Sequence, residues 1–143
     1  MAASTYTQVA EALTRTLGAI DGVPVFDHEP REIPLPAITI DGPVEVRRSG
    51  VDQAESQLGA NDHYVMWAVR IYVALDDPQV AERERRTLLG QLIDVLDANQ
   101  TLGLPGLVLD TKLATVIHLD SPSDQPRQSR IYECHVETWL LVT

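Results

Sequence analysis

The sequence predicts an α+β fold: a mixed or antiparallel β-sheet with two α-helices packed on one face. Three observations lead there. Segments 4–20 and 77–99 repeat apolar residues every three or four positions, the period of an amphipathic helix. Segments 63–75 and 130–142 alternate apolar and polar residues, the period of a strand. The order of helix, short strands, long strand, helix and two closing strands then suits helices segregated to one side of a sheet. The 143 residues fit a single domain spanning 1–143. A chain of this size buries roughly 68–70% of the surface its unfolded form exposes, so neither disulfide nor metal is needed for stability. The single cysteine, Cys134, lies in an alternating apolar run and reads as a small buried hydrophobe.

In STYTQVAEALTRTLGAI, Tyr6, Val9, Leu13, Leu17 and Ile20 form one apolar stripe. Thr5 and Gln8 have capping-box spacing, and Gly18 or Gly22 can end the helix. VPVF and PAITI are short β-type runs joined by a proline-rich connection that holds Asp27, His28 and Glu29. An extended chain sends neighbouring side chains to opposite sides, and Pro30 biases Glu29 toward that geometry. The three groups therefore do not converge on one atom, and the stretch reads as a rigid, exposed link. Pro34 and Pro36 stiffen the approach to AITI, where Ile38 and Ile40 share a core-facing side.

From Asp41 to Asp62 the chain turns polar. VEVRR suits a short edge strand, and the excursion Val44–Asp62 reads as a long loop, a candidate contact surface. In HYVMWAVRIYVAL, Val65, Trp67, Val69, Ile71, Val73 and Leu75 share one face, while the other carries Tyr64, Met66, Ala68, Arg70, Tyr72 and Ala74 and is expected to be covered only in part. In the second helix Asp77 is the expected N-cap and Pro78 the first helical residue. Ala81, Leu88, Leu92, Val95 and Leu96, flanked by Leu89 and Ile93, form its stripe. Glu82 with Arg85 and Arg86 reads as ion pairing on a solvated face. TLGLPGLVLD is a turn-rich crossing, KLATVIHL a strand, DSPSDQPRQS a loop and RIYECHVETWLLV the last strand. There Tyr132, Cys134, Val136, Thr138, Leu140 and Val142 face one way, and Glu133, His135 and Glu137 the other.

The formal charge is −10, with Lys112 the only lysine, which opposes attachment to nucleic acid through phosphate contacts. No run reaches the ~18 apolar residues of a membrane span, and the N-terminus lacks a secretory pattern. The expected setting is a cytoplasm, with no membrane association. His28, His63, His118 and His135 show no metal-ligand spacing, and nucleophile elbows, P-loops and dinucleotide fingerprints are missing. The stripe Glu133, His135, Glu137 is the most metal-like pattern, and a solvated or interface-facing strand explains it equally well. No catalytic, cofactor-binding or metal residue is assigned. A small ligand-binding or enzymatic domain with its site near His118, Asp120 and His135 stands as the competing class.

The order of segments carries a resemblance. A helix ending LGAIDGVPVFD leads through a proline-rich link to LPAITID, a long polar segment, the strand YVMWAVRIYV, the helix VAERERRTLLGQLIDVLD, and a closing pair of strands ending RIYECHVETWLLVT. Over nearly its whole length this resembles the tail terminator, or tail completion, family of long-tailed phages and related prophage elements. The resemblance implies a structural virion protein of the tail and neck, assembled in the host cytoplasm. Its expected form is a hexameric ring at the head-proximal end of the tail tube, where it stops tube polymerisation and docks to the head connector. The implied partners are other copies of the chain, the major tail tube protein and the head-closure or connector protein. Phage DNA would pass through the lumen without sequence-specific binding. Another neck component, a head-closure or adaptor protein, is the alternative in the same setting. The positions matching family contact surfaces are the loops Val44–Asp62, with Gln53 and Glu55, and Asp120–Arg130, with Asp124, Arg127 and Arg130. Arg47, Arg48 and Arg70 are expected to pair with acidic groups across subunit contacts, which in a ring join two different surfaces.

Overall fold

The computed structural model of the chain describes residues 4–48, 62–120 and 129–142. Helix α1 (Thr5–Leu17) comes first, then β1 (Val25–Phe26), β2 (Ala37–Arg48), β3 (Asp62–Ala74), α2 (Pro78–Ala98), β4 (Val108–Asp120) and β5 (Ser129–Leu141). The strands form one five-stranded sheet in the order β1-β2-β3-β5-β4. β1 runs parallel to β2, and every other pairing is antiparallel. The α+β class and mixed sheet follow the sequence expectation. The connection 27–36 links two parallel neighbours, with His28 Nδ1 2.9 Å from Asp27 Oδ1 on the exposed side of the turn.

Both helices pack against the same sheet face, α1 over β1 and β2, α2 over β3, β4 and β5. The core between them unites Val9, Leu13 and Leu17 of α1 and Leu88, Leu92 and Leu96 of α2 with Ile38, Ile40, Val65, Trp67, Val69, Ile71, Cys134, Val136 and Leu140 of the sheet. Each such fully buried large side chain stabilises the fold by roughly 1.5–3 kcal/mol before entropy is counted. Trp67 donates its Nε1–H to Thr138 Oγ1 at 3.0 Å, which accounts for a polar side chain at zero exposure on the inward side of β5. Burial pushes the Cys134 thiol up to about 12, so it stays protonated at neutral pH.

Several boundaries differ from the sequence reading. Ser4 is the N-cap of α1 in place of Thr5: its extended backbone lets Oγ accept from Thr7 N at 3.1 Å. The chain segment 44–48, read as a short edge strand of its own, continues β2 after an irregularity between Asp41 and Glu45. Gly42 makes that possible with φ +133°, a region L side chains rarely adopt. β4 begins at Val108, so VLD belongs to the sheet and not to the crossing. Ala68 and Tyr72, expected on a partly covered face, are fully buried among neighbouring strands.

The largest correction concerns Arg85. It lies 3% exposed beneath α2, not on a solvated face. Its guanidinium carbon sits 3.8 Å from the Tyr132 ring centroid. It donates to His118 Nδ1 at 2.6 Å and to both Glu82 oxygens at 2.7 and 2.9 Å. Arg130 also donates to Glu82 Oε1 at 2.8 Å. Hydrogen bonds from Arg85 hold the Glu82 carboxyl below its ordinary range, with Arg130 adding to the effect. A three-methylene stem and a planar cation let arginine serve both packing and pairing here, a use that a polar-residue pattern conceals.

Candidate functional site

Strand alternation sends a second set of side chains to the sheet face opposite the helices. In the middle of that face Arg70 pairs with Glu133 at 2.9 Å and with Asp41 at 3.7 Å. His135 Nε2 lies 3.1 Å from the other Glu133 oxygen. Burial pushes the Glu133 carboxyl up, but the His135 and Arg70 hydrogen bonds outweigh it, and the net shift is downward. Nearer the sheet end, Tyr64 donates to Glu137 Oε1 at 2.6 Å. Burial first, then that hydrogen bond, pushes the Tyr64 hydroxyl up to about 12.

The same end holds an aromatic pair. Tyr64 and Trp139 meet edge to face, 4.7 Å between centroids, because the register places them opposite one another on β3 and β5. Arg47 lies over the other side of Tyr64, 5.3 Å from its centroid, and donates to Glu45 at 2.6 Å. These groups border a cavity of about 760 Å³, lined among others by Arg47, Arg48, Met66, Leu109, Glu137 and Trp139. Apolar and aromatic side chains, Met66, Leu109 and Trp139, and charged ones, Arg47, Arg48 and Glu137, line it together.

The arginines singled out in the sequence thus divide. Arg47 and Arg48 stand together at the end of β2 beside the cavity. Arg70 sits mid-face and is engaged within its own chain. Arg130 points to the helix side and pairs with Glu82. Gln53, Glu55, Asp124 and Arg127 lie outside the described residues. His118 and His135 do not come together: His118 meets Arg85 on the helix side, whereas His135 faces the open side. In the stripe Glu133, His135, Glu137, the carboxylates are engaged by Arg70 and Tyr64. Among the described residues no group of three or more His, Cys, Asp or Glu is placed to hold a metal ion.

Tyr64, Trp139 and Glu45 escaped the sequence reading. Alternation put Tyr64 on the right face, but its partner Trp139 lies 75 residues on in the chain and only pairing register joins them. A scan against protein-family models finds no match, and no curated protein matches the chain. Among the described residues no helix is long and apolar enough to cross a membrane.

Proposed function

We propose that this chain is a structural subunit of a long-tailed phage virion that forms a ring at the head-proximal end of the tail tube, ends tube polymerisation and joins the tail to the head connector. The observation that carries this reading is the one-sided sheet. One face is sealed by both helices; on the other, the end that holds Tyr64, Trp139 and Arg47 is left without a covering element of the described chain. Among the described residues its charges pair along and across strands, and no acid, base and nucleophile converge on a point, which suits contact rather than chemistry. The segment order that resembles tail terminators supplies the particular assembly. The net charge of −10 is compatible with DNA passing without adhering.

Negative-stain images of the purified chain, alone and mixed with growing tail tubes, test the proposal. Rings, or tubes capped at one end, are expected; tubes that grow unchecked beside a dispersed chain overturn it. Reversing Arg47 and Arg48 together to Glu should weaken assembly on sizing with light scattering while leaving the circular dichroism unchanged. Capping of tubes also separates this role from that of a head-closure or adaptor protein, which binds the connector and not the tube. The cavity of about 760 Å³ favours a second reading, a small ligand-binding domain. Saturable binding of a small molecule that is abolished by Trp139→Ala, with no assembly, would select it.

A further inference from the structure

The sheet has two edges without a strand partner among the described residues. β4 forms one. β2 beyond Thr39 forms the other, because β1 pairs only with Ile38 and Thr39. Seven large apolar side chains stand exposed among the described residues, and five of them lie on these strands: Val44 and Val46 on β2, Leu109, Val116 and Ile117 on β4. Soluble chains normally blunt such edges with charge or prolines. Here Pro43 and the irregularity between Asp41 and Glu45 interrupt only the start of the exposed part of β2, and the charges beyond them, Glu45 and Arg47 on β2 and Asp110 and Lys112 on β4, are of both signs on each edge.

The strand directions fit a second copy. β2 is antiparallel to β3, β3 to β5 and β5 to β4, so β4 runs opposite to β2. Rotation about an axis along the strands preserves those directions. The β2 of one copy laid against the β4 of the next therefore makes an antiparallel pair, and the contact repeats head to tail until it closes.

Register follows from charge. Arg47 is level with Tyr64, Tyr64 with Trp139, and Trp139 with Asp110. Likewise Glu45 is level with Met66, Met66 with Glu137, and Glu137 with Lys112. Level addition of the next copy sets Arg47 beside Asp110 and Glu45 beside Lys112, two opposite-charge cross-strand pairs. A slip of about two residues one way puts Arg47 beside Lys112, and the other way puts Glu45 beside Asp110. Both slips are repulsive. The existing Arg47–Glu45 pair is open to solvent, at 73% and 39% side-chain exposure, so exchanging it costs little.

We infer that copies of this chain join edge to edge, β4 of one against Glu45–Arg48 of the next, in the antiparallel register set by Arg47 with Asp110 and Glu45 with Lys112. This rests on the reading of the chain as a self-assembling ring subunit and names the surfaces that meet. The sheet then continues from copy to copy through the Glu45–Arg48 end, with all helices on one side; at the other end, level with His118 of β4, β1 already holds the β2 edge and the incoming β4 diverges from it.

The double variant Arg47→Cys/Asp110→Cys tests it in the full chain. Within one chain these positions are three strand spacings apart, roughly 14 Å, beyond the reach of a disulfide. Cys134 is fully buried and does not compete. Oxidised glutathione should give a covalent ladder extending past dimers, whereas each single variant stops at the dimer and the mispaired Arg47→Cys/Asp94→Cys stays at background. As a second measurement, Arg47→Glu should weaken association on the order of tenfold, and adding Asp110→Arg should restore it. Rings in negative stain with neither ladder nor rescue overturn the edge pairing and leave the assembly reading standing. A chain that neither multimerises at its highest soluble concentration nor caps tubes removes that reading, and this inference with it.

Discussion

The two faces of the sheet are built from the same strands and behave as different materials. On the helix side, Val65, Trp67, Val69 and Ile71 of β3 meet Cys134, Val136 and Leu140 of β5 at zero exposure. On the other side the intervening residues of those strands carry Arg70, Tyr64, Glu133, His135 and Glu137, tied in pairs across and along the strands. The first face holds the fold by area removed from water; the second is held by pairs of which many remain partly open to solvent. Area burial is non-directional and needs a cap, which the helices provide. Cross-strand polar pairs need register and no cap, so they leave a surface able to meet another protein. A one-residue slip would exchange the two faces, which is why the long β3–β5 ladder matters to both.

This contrast can be broken most directly by exchanging tryptophans. Trp67→Ala should destabilise the protein by about 3–5 kcal/mol in chemical denaturation, and Trp139→Ala by less than about 1 kcal/mol. Equal losses would make the open face a second core. Next in size, Arg85→Ala should cost about 2–3 kcal/mol, since it strips the Tyr132 ring of its cover and removes the bond to His118 Nδ1 and one of the arginines that hold Glu82. Arg85→Met, which keeps the packing, should lose less. Gly42→Ala should cost about 1–2 kcal/mol, because φ is +133° and the new Cβ would stand 2.9 Å from Val44 N and 3.2 Å from Trp67 Cε3.

The smallest effect separates the faces by pH. His63, on the helix side, shares a 2.8 Å hydrogen bond with the Tyr6 hydroxyl. Burial, then the Arg48 charge, pushes its pKa down, with Asp62 opposing. A lowered folded pKa means that the unfolded chain binds the extra proton first. The stabilisation is therefore complete above the ordinary histidine value of about 6.5 and is lost as pH falls through the folded value. Glu133, on the open side, is also lowered, so its contribution is held above about pH 4.3 and lost in stronger acid. Thermal melts should show two steps of decline on acidification. His63→Gln should flatten the step nearer neutral, and Glu133→Gln the acid one.

Periodicity located both helices and the long strands because each has one strongly apolar side, and that signal is local. It also separated the open-face residues of β3 and β5 from their inward neighbours. It failed at β2, where PAITI and VEVRR read as separate runs although one strand spans Ala37–Arg48. It failed again at Arg85, because a buried cation paired to Glu82 has the same letters as a solvated one. Of the candidate site, Arg47 and Arg48 were named from the sequence, but Tyr64, Trp139 and Glu45 join them only through pairing partners distant in the chain.

By itself, then, the sequence determined the α+β class, the helical stripes, the inward sides of β3 and β5 and a thiol placed to be inert. These depend on neighbours within a turn or a pleat. Only the tertiary structure decided the strand order, the register that levels Arg47 with Tyr64 and Trp139, the burial of Arg85 and the separation of His118 from His135 onto opposite faces. Those are relations between segments far apart in the chain, set when backbone groups pair and side chains pack, and no local period records them.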